Sequence, residues 1–315
     1  MKIAFCHHLS LSYGGGGEKW MIELARDLSR RGHDIEIYAL PFTMKGGRGL
    51  VPEDELDGIS YHEGLLHNVS ADLTYVTYNP LSWLNFHIHG PKIAGIHSHC
   101  YWQPLERKYG ILPNLAHFIN IFISRSELGR FDAIHTVTPV YPINHKRVFY
   151  IPNFVDSDRY HPLAPKNSEF TIGYASRKVW QKGYDIFESL KEELKEINFV
   201  ETNHLPEKDM PRFLSSNHLT LLPSRVDTFG LTAVESMLCK TPVISSGLST
   251  HRCLGLPIDY ATTINDYIRQ IEFYQSIFET EIYNSLADNC RESALKYDKH
   301  YIVGKIEEMF KEVAR

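Results

Sequence analysis

The chain has 315 residues, with 33 Lys and Arg set against 38 Asp and Glu for a formal net charge of −5. That length carries two domains of ordinary size, and the acidic balance excludes a protein built on phosphate-backbone contacts, which takes a strongly basic surface. The five cysteines, at positions 6, 100, 239, 253 and 290, are odd in number and lack metal or redox spacing, which points to a reducing, cytoplasmic setting.

The opening run Met1-Lys-Ile-Ala-Phe-Cys6 reads as a strand that meets His7 and His8 at once, and not as a secretory leader. A helix is expected from Glu18 to Arg31 and strands at Asp34 to Leu40, Leu73 to Val76, Lys92 to His97, Ala133 to Val137 and Val148 to Ile151. The longest apolar stretch, Ile111 to Ile123, is interrupted by Pro113, Asn114, His117 and Asn120, too short and too polar to span a bilayer. After Pro152 the pattern restarts, with strands at Phe170 to Tyr174, Phe199 to Thr202, Leu219 to Leu222 and Pro242 to Ser245. Helices are expected at Gly183 to Glu196, Met210 to Ser215 and Leu231 to Leu238, and helical character returns from Asn265 to the end. Alternation of this kind implies an α/β protein with parallel sheets covered by helices. The Pro-containing segment Tyr160 to Ser168 reads as a linker between two doubly wound, Rossmann-like domains. Ligands of such folds bind at strand C-termini, here in a cleft between the two sheets.

Four places carry chemistry. Gly14 to Gly17 lies between the first strand and the first helix, where backbone amides can approach a diphosphate; a plain surface turn is the competing reading. The run is not a dinucleotide fingerprint, because Lys19 stands where a third Gly belongs and the second strand ends without a ribose-binding acid. His97 ends a strand facing the expected cleft, where an ordinary packed His is the competing reading. As a metal set, His97, His99 and Cys100 supply two ligands at most from one extended segment, so no metal is expected. Arg177 and Lys182 flank a strand-to-helix junction and are able to neutralise a diphosphate, unless they are merely solvated charges. Asp227 and Glu235 bracket the start of a helix, with Phe229 and Gly230 at a junction whose unpaired amides suit an anionic or hydroxyl-rich ligand, and as two acceptors at different depths they can grip two hydroxyl-bearing parts of it.

Asp227-x7-Glu235, preceded by Pro223-Ser224 and followed by Ser236-Met-Leu-Cys-Lys-Thr-Pro-Val-Ile244, resembles the acidic-x7-Glu signature of the retaining glycosyltransferases of family 4, which have the GT-B fold. The likeness continues in Gly15-Gly-Gly-Glu-Lys19 with Arg31-Gly-His33, in Ile151-Pro-Asn-Phe-Val-Asp156, and in Arg177-x4-Lys182-Gly183. Departures are Asp227 for the usual Glu, and Ser176, Phe154 and Lys240 for usual glycines.

The resemblance implies a GT-B protein with a first domain over 1–162, a donor-binding domain over 163–298 and a last helix, 299–315, crossing back to the first. It implies a metal-independent, retaining hexosyl-type transfer from a UDP- or GDP-sugar to a glycan, lipid-linked or small-molecule hydroxyl acceptor, with no cofactor. By the same resemblance His97 and Asp227 act on the sugar, and Gly15, Gly16, Gly17, Arg177, Lys182, Phe229, Gly230, Leu231 and Glu235 bind the donor. Asp156-Ser-Asp158 mimics a metal-binding Asp-x-Asp, but its place in the chain suits turn capping with Asn153. Leu115, Phe118, Ile119 and Phe122 share a helical face near Arg107, Lys108, Arg125 and Arg130; core packing is the plain reading and peripheral membrane contact the sharper one. A sugar-nucleotide epimerase, a dehydrogenase and a non-catalytic nucleotide-sugar-binding protein are the alternatives.

Overall fold

The computed structural model describes residues 1–13, 16–43, 56–97, 111–140, 143–202 and 205–315. The chain divides into two compact units, Met1–Pro152 with Ile302–Arg315, and Asn153–Tyr301.

In the first unit, strands β1 (Lys2–His7), β2 (Asp34–Ala39), β3 (Ser60–Glu63), β4 (His67–Ser70), β5 (Leu73–Thr77), β6 (Phe86–His89), β7 (Lys92–Ile96), β8 (Ala133–Thr136) and β9 (Val148–Tyr150) accompany helices α1 (Gly16–Arg30) and α2 (Ile111–Glu127). Seven strands form a parallel sheet in the order β3-β2-β1-β5-β7-β8-β9, while β4 and β6 pair separately. All five residues of β5 are buried, as suits an interior parallel strand covered on both faces. The strands not expected from the sequence are peripheral: β3 is a mostly exposed edge, and β4 and β6 are short and rich in His. They lack the apolar run or strict alternation that marks a strand.

In the second unit, β10 (Thr171–Tyr174), α3 (Tyr184–Glu193), β11 (Asn198–Glu201), α4 (Met210–Ser216), β12 (Leu219–Leu222), α5 (Leu231–Leu238), β13 (Val243–Ser245), α6 (Ser249–Arg252), β14 (Asp259–Tyr260), α7 (Ile264–Ile277) and α8 (Glu281–Ala294) follow in turn. The sheet is parallel with the order β11-β10-β12-β13-β14. Chain order reverses between β10 and β12, so the loops leaving these two strands diverge around a crevice at their C-terminal ends. Phe170, Ile172, Tyr174, Phe187, Leu219, Leu221, Ile244, Tyr267 and Tyr274 build the core beneath it.

Helix α9 (Lys299–Val313) starts in the second unit and from Ile302 onward belongs to the first. Phe310 there packs on Phe5 and Tyr75, with ring centroids 6.2 and 5.5 Å away. The Arg-Gly-His turn after α1 has a visible job. Gly32 takes a positive φ of 87°, and Arg31 and His33 on either side reach Glu307 at 3.0 and 3.2 Å, with Lys311 as a further partner. Burial alone would raise the Glu307 carboxyl, but hydrogen bonds from Lys311, His33 and Arg31 outweigh it and hold the group at about 2. A depressed carboxyl stabilises the fold above its unfolded value, and that contribution disappears as pH falls from 4.5 towards 2. Glu307→Gln is expected to lose roughly 1–2 kcal/mol at pH 7, since its partners are partly solvated. Chemical denaturation should show the two proteins converging as pH falls through that window. A gap that stays constant down to pH 2 would contradict the assignment.

Several expectations change on the structure. Helix α1 begins at Gly16, two residues earlier than the sequence suggested, so Gly16 and Gly17 lie in its first turn and not in a free loop. Gly14 and Gly15 lie outside the described residues, as do His99, Cys100, Arg107 and Lys108. Phe118, Ile119 and Phe122 on α2 are exposed, which corrects their reading as core residues; nothing is described of the Leu115 side chain. No helix among the described residues is long and apolar enough to cross a membrane.

Candidate active site

The crevice of the second unit is shaped by glycine first. Gly183 ends a 3-10 turn, Trp180–Lys182, with φ at 69°, and an added Cβ would lie 2.0 Å from the Pro223 carbonyl oxygen. Only glycine allows the loop after β10 to press its backbone against the loop after β12 in this way. Gln181 completes the stitch, its carbonyl accepting from the Arg225 and Val226 amides at 2.9 and 3.2 Å. From beneath, the buried Tyr174 hydroxyl lies 2.9 Å from the Arg177 carbonyl and 3.2 Å from that of Lys182. Both ends of the six-residue segment are thereby referred to one core side chain.

The result is a charged cluster. Lys182 Nζ donates to Asp227 Oδ2 at 2.8 Å. His251 Nε2 stands 3.6 Å from the same oxygen, and the Thr250 hydroxyl donates to the Asp227 carbonyl at 3.0 Å. Burial alone would raise the Asp227 carboxyl, but Lys182 and His251 outweigh it and hold the group well below the ordinary carboxylate range. It is an acceptor at any working pH. Arg177 is exposed on the same loop. Lys178, the spare cation of the segment, is tied to Glu201 at 2.9 Å and lies over the Tyr184 ring. Arg225, two residues before the signature's Asp227, is structural: its guanidinium sits 4.5 Å over the Trp180 ring and forks onto Asp185 at 2.6 and 2.8 Å.

At the start of α5, Gly230 has φ at 95° and no side chain caps the helix, so its first amides face the crevice side of the junction. A Cβ on Gly230 would fall 2.9 Å from His251 Cδ2, so glycine here also makes room for that imidazole. Leu231 opens the helix and Glu235 lies one turn further in, both partly exposed. Tyr160 is buried, and its hydroxyl, pushed upward by burial first and by Glu235 next, marks Glu235 as its neighbour. Phe229 differs from the rest. Its side chain is buried edge-on against Tyr297, 5.5 Å between centroids, so only its backbone is available to a ligand. Lys240, where the resemblance would put glycine, adopts φ of 57° and closes the end of α5, with the Thr241 amide returning to the Ser236 carbonyl at 3.0 Å. This left-handed helix end explains why glycine is favoured at the position.

In the first unit, β1 and β5 flank the chain reversal. His7 at the end of β1 lies 2.5 Å from the Thr77 hydroxyl and 2.7 Å from Glu18 in the first turn of α1. Burial would raise Glu18, but the contact with His7 lowers it overall; a carboxylate also suits the positive end of the helix. His97 Nε2 is 2.8 Å from the Tyr75 hydroxyl, and its ring packs 4.3 Å from Trp20. Asp156 caps a turn, accepting from the Asp158 and Arg159 amides at 3.1 and 3.2 Å, and pairs with Lys299 at 2.7 Å. Sequence reading missed His251, Tyr75, His135, Tyr160 and the Arg225–Asp185 fork. All are reached from distant segments, and no local spacing announces them.

The fold and this crevice define a class. Residues 184–252 match the sequence profile of the family Glycosyl transferases group 1. The chain is similar to sucrose-phosphate synthase from Thermosynechococcus elongatus, with a TM-score of 0.73 at 14% identity over 99% of each chain. It is also similar to Anabaena Alr3699/HepE in complex with UDP, with a TM-score of 0.70 at 16% identity over 99% of this chain and all of that one. In sequence it is 20% identical to mannosylfructose-phosphate synthase of Agrobacterium fabrum, across 73% of this chain and 70% of that protein. The fold is GT-B, and the matched segment, which carries Asp227, Gly230 and Glu235, identifies the chain as a glycosyltransferase.

Proposed function

We propose that the chain transfers a sugar from a nucleoside-diphosphate sugar to a hydroxyl acceptor with retention of anomeric configuration and without a metal ion. The observation that carries this reading is the Lys182–Asp227 pair at the switch point between β10 and β12, with the exposed Arg177 on the same loop as Lys182. Departure of the nucleoside diphosphate builds negative charge on phosphate and positive charge on the sugar. Fixed cations on one side and oriented acceptors on the other lower that barrier. In this reading Arg177 and Lys182 take the phosphates, Glu235 the ribose, and Asp227 with the amides of Phe229, Gly230 and Leu231 the sugar hydroxyls. Lys182 exchanges its bond to Asp227 for one to phosphate as the donor binds, which frees the carboxylate for the sugar. His97 and the Gly16 amide keep the roles the resemblance implies.

UDP bound to HepE supports uracil as the first base to test, with guanine as the second. The acceptor is a glycan, a lipid-linked hydroxyl or a small molecule; exposed Phe118, Ile119 and Phe122 support peripheral contact with a membrane. Turnover of a panel of UDP- and GDP-sugars in excess EDTA, with the product anomer read by NMR, tests the reaction. The expected result is one donor consumed at an undiminished rate with its α or β configuration kept. Inversion, or loss of turnover in EDTA, would contradict it.

A further inference from the structure

A hydrogen-bonded row in the first unit runs from the Ile151 carbonyl through His135 and Tyr75 to His97. His135 Nε2 lies 2.8 Å from the Ile151 oxygen, His135 Nδ1 is 2.6 Å from the Tyr75 hydroxyl, and that hydroxyl is 2.8 Å from His97 Nε2. Its direction follows from counting protons. A carbonyl only accepts, so His135 must carry its proton on Nε2. The opposite tautomer would face two lone pairs at 2.8 Å in a fully buried place, leaving both unsatisfied. His135 is neutral at pH 7, because burial takes it down to about 4 against a weaker upward pull from Ile151. Its Nδ1 therefore accepts, and the single proton of the Tyr75 hydroxyl goes to it. The Tyr75 oxygen is then left only as an acceptor towards His97.

We infer that Tyr75 and His135 are positioning residues that keep the His97 proton on Nε2, so that Nδ1 is the accepting nitrogen of the ring in its neutral form. The row is built into the sheet and does not depend on surface rotamers. Tyr75 and His135 are fully buried on β5 and β8, and the hydroxyl crosses the intervening β7 at Gly95. A Cβ on Gly95 would lie 2.0 Å from the Tyr75 oxygen, so every other residue would displace it. Trp20 packs against the His97 ring and limits its rotation. The consequence for ligands rests on the transferase reading: an accepting nitrogen takes the proton of a sugar hydroxyl and repels a phosphate oxygen.

The tautomer is measurable without any donor. Long-range proton–nitrogen correlation spectra of the full chain labelled with nitrogen-15 histidine separate protonated from bare ring nitrogens, and His97→Gln assigns the signal. Above the pH at which its ring loses the second proton, His97 should show a protonated Nε2 and a bare Nδ1. In Tyr75→Phe the single tautomer should give way to averaged shifts, and in His135→Phe the released hydroxyl proton should let the Nδ1–H form appear. A neutral wild-type ring with its proton on Nδ1 overturns the inference whatever the variants do. So does an unchanged His97 signal in a folded Tyr75→Phe protein. Because the wild-type spectrum contains no nucleotide, failure of the donor reading would leave this result standing, and the reverse also holds.

Discussion

Asp227→Asn should reduce sugar transfer by about 10²- to 10³-fold, the usual cost of removing one oriented group that acts in the transition state. The substitution keeps the size of the side chain and removes its charge. In the wild-type crevice that charge is held by Lys182 at 2.8 Å and faced by the buried His251 at 3.6 Å. An amide oxygen there is a weaker acceptor for sugar hydroxyls and offers nothing to offset positive charge on the ring. Affinity for the nucleoside diphosphate should hold, or improve, because Lys182 no longer has a carboxylate competing with phosphate. Steady-state release of nucleoside diphosphate beside a calorimetric titration separates the two effects. Turnover near the wild-type rate would remove Asp227 from the mechanism. A parallel collapse of nucleotide binding would show instead that the carboxylate only holds the loop.

Much of this crevice was legible in the sequence, and the reason is topological. Both loops follow apolar runs that read plainly as strands, β10 and β12, and both precede helices. In a doubly wound sheet such loops emerge at one end, so Lys182 and Asp227 were readable as neighbours before any distance was known. The resemblance then supplied their roles. His251 was not legible, because it comes from α6 and its place beside Asp227 depends on the room left by Gly230. Phe229 sat inside the signature, yet its side chain turns into the core against Tyr297. Lys178, next to Arg177, is a possible substitute cation by sequence, and only the cross-strand approach of Glu201 shows that it is engaged elsewhere. Helical periodicity grouped Phe118, Ile119 and Phe122 on one face correctly, but periodicity says nothing about what covers that face. The polar edge strand β3 and the His-rich pair β4 and β6 escaped for a related reason: without apolar alternation there is no pattern to read.

The loop carrying Arg177 and Lys182 supports the second large prediction. Its backbone is referenced to the Tyr174 hydroxyl, to Pro223 through Gly183 and to Arg225 through Gln181, and none of these contacts uses the two cationic side chains. Truncating both should therefore leave the loop backbone in place, while removing two charges and the Lys182 partner of Asp227. A nucleoside diphosphate that loses two charge-assisted partners, partly replaced by water, should bind about thirtyfold more weakly, or ~2 kcal/mol. The central claim is that this crevice is a nucleoside-diphosphate site. Calorimetric titration of UDP, GDP, ADP and NAD into the wild-type protein and into the Arg177→Ala, Lys182→Ala double variant tests it most directly. One diphosphate binding to the wild type and weakened to that extent in the variant is the expected result. Binding of NAD alone, of no nucleotide, or of a diphosphate equally to both proteins would contradict it.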